Sequence, residues 1–514
     1  MKNKIYSILI LFTGLLILNS CTKDFEKINT NGNAPAAEQA APDMLLTLSI
    51  ESLTDRVYDI FLGHEMGSCW VQHMAKVQYT DEDRYIYRPD VVNGTWTSLY
   101  ARSGMDIETI RRIAVSKDLK NYKAVAYVLR AYGVSLLTDM FGDVPYTEAF
   151  KAIDDITATL PKYDTQESIY RDLIAKLDSA NILLSDDNET INGDILFDGD
   201  VTSWKKFANS LRLRLLLRMS AKDVGFVTSE MSKMVADPDT YPIFESNADN
   251  ADLVYLGSAP NNNPINENRK TRDDHRVSKT IIDVMWTTNP NVDWRIVVYA
   301  NLAAGPSDYV GLPNGLLAAD ALNYNGNGLK ETCKIGDYFT SASCPGMLMS
   351  YAELQYILAE AAVKGYVPGG MAKAEEYYLA GLFGSYRQYG DVLIANAADI
   401  FGQEGTIDDF AQDYIDNSIG AFDNSSMDAA LEIIGREKWL AMFDQGLQAF
   451  IEYRRTGIPA LEAPEKGNNG TAVPSRYPYP TDERSRNGAN LGAAVTSQGF
   501  SSLDDLNGKV WWNN

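Results

Sequence analysis

At 514 residues, with 45% apolar and 22% charged side chains, the chain has the make-up of a globular protein with a sizeable core, which excludes a disordered or collagen-like polymer and a multi-span membrane protein. Sixty-nine Asp and Glu against 46 Lys and Arg give a formal charge of −23, so nucleic acid would approach against a repulsive field and is not an expected partner. Only three histidines are present, His64, His73 and His275, too few and too scattered for an imidazole-built metal site, while the 29 tyrosines favour recognition surfaces.

The chain opens with Lys2 and Lys4, an almost wholly apolar run from Ile5 to Leu18, and then Asn19, Ser20 and Cys21. The run falls short of the roughly 20 residues of a spanning helix, so residues 1–20 read as a signal peptide. Ser20 directly before Cys21, with Leu18 three positions upstream of the cysteine, resembles a bacterial lipobox, in which Cys21 becomes the lipidated first residue of the exported protein. Residues 21–42, polar and rich in Asn, read as a tether to one folded body over 43–514. Of the remaining cysteines, Cys333 and Cys344 share a Gly- and Ser-containing segment and are close enough for a local disulfide in an oxidising compartment. Cys69 reads as a small buried hydrophobe rather than as a nucleophile paired with His73.

The body is predicted to be mainly α-helical. Asn121 to Phe141 places Val125, Val128, Leu129, Tyr132, Leu136 and Met140 on one stripe, with Gly142 as a stop. Thr165 to Leu184 begins with a Thr cap, and Ser203 to Ser220 sets Phe207, Leu211, Leu215 and Met219 opposite a face of Lys and Arg. Further helices are expected over Met347 to Lys364, Met371 to Gln388 and Ser426 to Phe443, followed by a turn region through Arg455. Ala362, Ala374, Tyr378 and Gly381 fall at the small, small, aromatic, small offsets of a tetratricopeptide-type helix pair.

Three insertions, 78–93, 259–277 and 304–346, are dense in Asn, Gly, Pro, Tyr and charge, lack a helical period and read as long functional loops. A pyranose offers an apolar C–H face and a rim of hydroxyls, so a sugar site needs a flat aromatic flanked by Asn, Asp and Arg. The first loop supplies that mixture in Tyr79, Asp81, Arg84, Tyr85, Tyr87 and Asn93; the second offers Asn262, Asn263, Asn266, Arg269 and Arg272; the third offers Tyr309 and Tyr324. Trp70 and Trp96 sit in helical context and are expected in the core.

The order of these features resembles the SusD/RagB family of outer-membrane lipoproteins of Bacteroidetes, in its SusD-like nutrient-binding branch. The similar stretches are DFEKINTN after Cys21, TDMFGDVPYTEAF at 138–150, GDILFDGD, WKKFANSLRLRLLLRMS, YAELQYILAEAAVKGY at 351–366 and EIIGREKWLAMFDQGLQAFIEYRRTG at 432–457; Gly32 departs from the Pro common in the family's tether. The resemblance implies a scaffold of tetratricopeptide-like helix pairs carrying an irregular ligand region. It also implies a SusC-like TonB-dependent outer-membrane barrel as partner, and capture of oligosaccharide, or in some relatives peptide, at the cell surface for import. It implies no chemistry and no cofactor.

The conspicuous charged groups read first as structural ion pairs: Glu353 and Glu360 seven apart on one helix, Asp293 and Arg295, and Arg436, Glu437 and Arg454. Asp194, Asp198 and Asp200 lack the order of a calcium loop, and no metal is expected. The sequence has no Gly-x-Ser-x-Gly elbow, phosphate loop or dinucleotide fingerprint. The expectation is a non-enzymatic binding lipoprotein, with a surface glycosidase and a purely structural lid as the alternatives.

Overall fold

Helix α1 spans Pro42–Val57 in the computed structural model, which describes residues 41–288, 291–303 and 308–513. Cys21, the signal peptide and the tether up to residue 40 lie outside the described residues. Eight further principal helices follow: α2 Ser103–Ser116, α3 Lys120–Phe141, α4 Gln166–Leu183, α5 Val201–Arg218, α6 Tyr351–Val363, α7 Gly370–Arg387, α8 Met427–Ala441 and α9 Gly446–Thr456. Each packs on the next from α1 to α7, and α6 also packs on α8, so the body is an all-α stack of tetratricopeptide-like helix pairs.

The local chemistry accounts for the boundaries. The whole predicted stripe of α3 is buried, and the helix stops at Gly142, whose positive φ of 90° is a conformation only glycine adopts without strain. Thr165 caps α4 by accepting the Ser168 N–H, and Ser426 caps α8 by accepting that of Ala429. Ala362, Ala374 and Tyr378 are buried where α6 meets α7, and a Cβ on Gly381 would come within 3.0 Å of the Tyr356 ring. The small residues therefore permit the helices to approach, as the repeat spacing predicts.

Three expectations are corrected. Ser203 to Ser220 does not present its basic face to solvent: Arg212, Arg214 and Arg218 of α5 are buried because helices cover both sides, and each is paired, with Asp178 and Glu230, with Glu353, and with Asp139. The predicted helix from Met347 is a strand before Ser350. Here β2, Gly346–Met349, pairs antiparallel with β1, Ala251–Leu253, and the Ser350 hydroxyl then caps α6. Cys333 and Cys344 are both free buried thiols and form no disulfide. The Cys333 sulfur accepts the Val310 N–H at 3.3 Å, and Cys344 sits in a separate niche beside Tyr58 and Tyr338.

The inserted segments are irregular but carry short elements: a 3₁₀ turn at Glu82–Arg84 and helices at Pro89–Thr97, Pro264–Arg269 and Ala318–Asn323. Most are too short for a 3.6-residue period to register. At the core end of α9, Gly446 lies against the π-helical turn Ile60–Ser68, where a Cβ would meet the Gly63 carbonyl oxygen at 2.3 Å and the Ser68 nitrogen at 2.3 Å. Backbone cannot swing aside as a side chain can. Gly446→Ala is therefore expected to lower stability by about 1–3 kcal/mol, read as a reduced urea midpoint at unchanged m-value.

Candidate functional site

A short two-stranded pairing organises the irregular region. Met74–Lys76 runs antiparallel to His275–Val277, with Lys76 opposite His275, so the first loop emerges beside the end of the second. Tyr79 has a φ of +53°, and 62% of the residue is exposed. The Arg272 guanidinium lies over that ring, 4.2 Å from its centroid, and is itself fixed by Asp274 at 2.7 and 2.8 Å.

Gln78, Thr271, Asp273, Leu329 and Lys334 complete an open hollow of about 540 Å³ around Tyr79 and Arg272. Asp273 accepts Lys334 at 2.7 Å, Arg269 at 2.9 Å and Arg276 at 3.1 Å. Burial alone would raise its pKa, but these three cations outweigh it and hold the carboxyl below the usual range. Underneath, Tyr324 and Leu329 pack on a small apolar cluster of Ala75, Val77 and Leu312. An exposed aromatic among fixed acids, guanidiniums and an ammonium can stack on a ring and exchange hydrogen bonds with hydroxyls.

The strand pair that carries the loop also holds a buried charge network. Lys76 Nζ lies 2.7 Å from Glu65 and 2.8 Å from Glu82, with Arg88 and His275 within 3.8 Å of the same carboxylates. Asp83, fully buried, accepts the N–H groups of Lys76 and Gly315 and the Asn314 amide, tying the Tyr79 loop to the third insertion. Burial raises its pKa to about 6 against those hydrogen bonds.

The other predicted ligand residues divide by what holds them. Asp81 is exposed, with its nearest partner, Arg84, at 3.8 Å, while Arg84 donates from Nε to the Lys466 carbonyl. Arg269 joins the hollow through Asp273. Tyr87 donates to Asp504 and Asn93 to Thr481, so both tie the first loop to the C-terminal segment. Asn266 donates to the Thr340 carbonyl and accepts from Asn262.

Three are corrected outright. Tyr85 is 1% exposed and meets Trp70 edge-on in the core; Asn263 is buried as the cap of Pro264–Arg269, donating to the Cys344 carbonyl; and Tyr309 is buried edge-on to Trp286. None of these offers a face to a ligand. Asp273 and Lys334 were absent from the predicted set. The run Arg-Lys-Thr-Arg-Asp-Asp at 269–274 signals the first, whereas the second arrives through a strand that the sequence does not display.

The carboxylates are committed elsewhere. Glu353 is forked onto Arg214, Glu360 onto Arg455, and Asp293 and Glu437 both hold Arg295. Asp194 accepts three backbone N–H groups and the Trp204 indole N–H. Burial raises the Cys69 thiol and lowers His73 to about 3, both away from the charged forms of a nucleophilic pair.

The helix-pair scaffold thus presents an open, polar hollow with one exposed aromatic ring. The chain belongs to the SusD-like family, described as starch-binding and associating with the outer membrane, whose profile matches residues 33–480. A chitin-binding protein is 25% identical with a TM-score of 0.77, over 92% of this chain and 100% of that one. A SusD homologue from Bacteroides fragilis is 27% identical with a TM-score of 0.76, over 93% and 100%. An outer-membrane protein of Bacteroides vulgatus described as involved in nutrient binding is 27% identical with a TM-score of 0.77, over 92% and 100%. No curated protein sequence matches the chain.

Proposed function

We propose that this protein is a lipid-anchored surface receptor that captures oligosaccharide and passes it to a SusC-like TonB-dependent barrel in the outer membrane. The observation that carries the reading is the open Tyr79 ring backed by Arg272 in a hollow of fixed donors and acceptors. A neutral glycan suits it, since stacking and hydrogen bonds need no net charge. The lipobox at Cys21 supports the anchor, and the chitin-binding relative supports a saccharide as cargo.

Isothermal titration of the mature chain against neutral oligosaccharides, chito-oligosaccharides among them, is the direct test. Tyr79→Ala and Arg272→Ala should each weaken binding about tenfold, near 1.4 kcal/mol, at an unchanged thermal midpoint, because both side chains are exposed. Wild-type affinity in both variants would remove the hollow from the account, and binding of peptides alone would replace the cargo.

A further inference from the structure

A second groove, of about 350 Å³, lies between α2, α3, α4 and the segment 146–151, and shares no lining residue with the Tyr79 hollow. Its character is opposite to that of a chain with a net charge of −23. Arg111, Arg112 and Arg130 converge on the one carboxylate of Glu108, at 2.6 to 2.9 Å. Arg112 spends its remaining edge on Asp154, but the Arg130 Nε–H, shut off from solvent, has no acceptor.

The other wall brings Tyr127 of α3 and Lys176 of α4 opposite Lys151 of the segment 146–151. The ammonium groups of Lys123 and Lys176 lie 5.9 and 5.3 Å from the centroid of the Tyr127 ring, and the Arg130 guanidinium lies 4.8 Å from that of Tyr146. Lys176 approaches Asp172 no closer than 3.8 Å, while the other oxygen of Asp172 takes the Tyr146 hydroxyl at 2.5 Å. Lys151 lies 3.5 Å from Glu148. Three guanidiniums thus share one carboxylate beside two further ammonium groups, those of Lys151 and Lys176, that line the groove.

We propose that this groove binds an oxyanion borne on a sugar ring, a sulfate ester or a uronate carboxylate. The guanidinium groups supply charged donors and Lys151 and Lys176, which line the groove, supply point charges, while Tyr127 gives the ring a flat face. The site is independent of the Tyr79 reading, so an acidic substituent would be recognised on the helical scaffold and a neutral ring in the irregular region.

The test titrates the mature chain with a trisulfated disaccharide, trigalacturonate, inorganic sulfate and neutral chitotriose. Saturable binding of a charged sugar, weakened by added salt, is expected. Lys151→Ala combined with Lys176→Ala should reduce that binding about tenfold and leave the thermal midpoint and chitotriose binding as they were. Equal binding by the double variant, or no saturable binding of any charged probe, would overturn the site. Inorganic sulfate bound as tightly as the sugars would overturn the saccharide as its ligand. Failure of chitotriose alone would count against the Tyr79 hollow and not against this groove.

Discussion

Arg295→Met should cost about 3–5 kcal/mol of folding stability, measured by urea denaturation, because it strands two carboxylates in a dry interior. Arg295 reaches Asp293 and Glu437 at 2.6 Å and Ser385 at 3.0 Å, with all three charged side chains at 0% exposure. Tyr386 and Tyr414 donate to the same carboxylates at 2.8 Å, so α7, α8 and the helix Ile407–Asp416 all depend on one guanidinium. Burial works to discharge Arg295, but the two carboxylates outweigh it and hold its pKa well above the usual value. Without the arginine, only Arg436 remains near Glu437, and Asp293 has hydrogen bonds but no counter-ion. Replacing Arg295, Asp293 and Glu437 together by apolar side chains of similar volume should recover most of the loss, since the penalty belongs to the broken pair rather than to the missing charge. A loss below about 1 kcal/mol in the single variant would show that water reaches the site.

The helices were legible because a buried stripe repeats every 3.6 residues whatever covers it, and the caps at Thr165 and Ser426 are chemical signals in their own right. What covers a helix is a tertiary matter. The arginines of α5 look like a solvent face until α6 supplies Glu353 and α3 supplies Asp139 from far along the chain. The ligand region shows the same limit more sharply. Tyr79 and Tyr85 stand six residues apart in one polar loop and both adopt positive φ, yet one ring points to solvent and the other to Trp70. Composition located the loop, but it could not choose between the rings, because each direction is set by contacts with Arg272 and Trp70 that no local period encodes. The disulfide expectation failed for a related reason: nearness in sequence says nothing about which way two thiols point.

Lys76→Met should unseat the Tyr79 loop in a pH-dependent way. Lys76 is the cation between Glu65 and Glu82; burial pulls its pKa down, but the two carboxylates pull harder and hold it above the usual lysine value. Burial, with Glu82 adding to it, pushes Glu65 up to about 7 despite Lys76. An unfolded glutamate titrates near 4.5, so between that value and about 7 the folded state holds a proton that the unfolded state has lost. Stability from this group is therefore greatest on the acid side and falls as pH rises through the window, and Asp83, raised by burial from 3.8 to about 6, acts in the same direction. Removing the ammonium, which lowers the Glu65 pKa, pushes Glu65 further up. At about pH 5 Glu65 can take a proton and the variant should lose little, whereas at about pH 8 it must carry buried charge with Arg88 at 3.8 Å as its nearest remaining cation of this network, and the loss should reach about 3–5 kcal/mol. Because Glu82 and Asp83 lie in the turn that follows Tyr79, the affinity for a neutral oligosaccharide should fall along the same pH course. An identical stability gap at the two pH values would mean that the network does not titrate. A gap that widens while affinity stays constant would mean that Tyr79 is held by the Arg272–Asp274 pair alone.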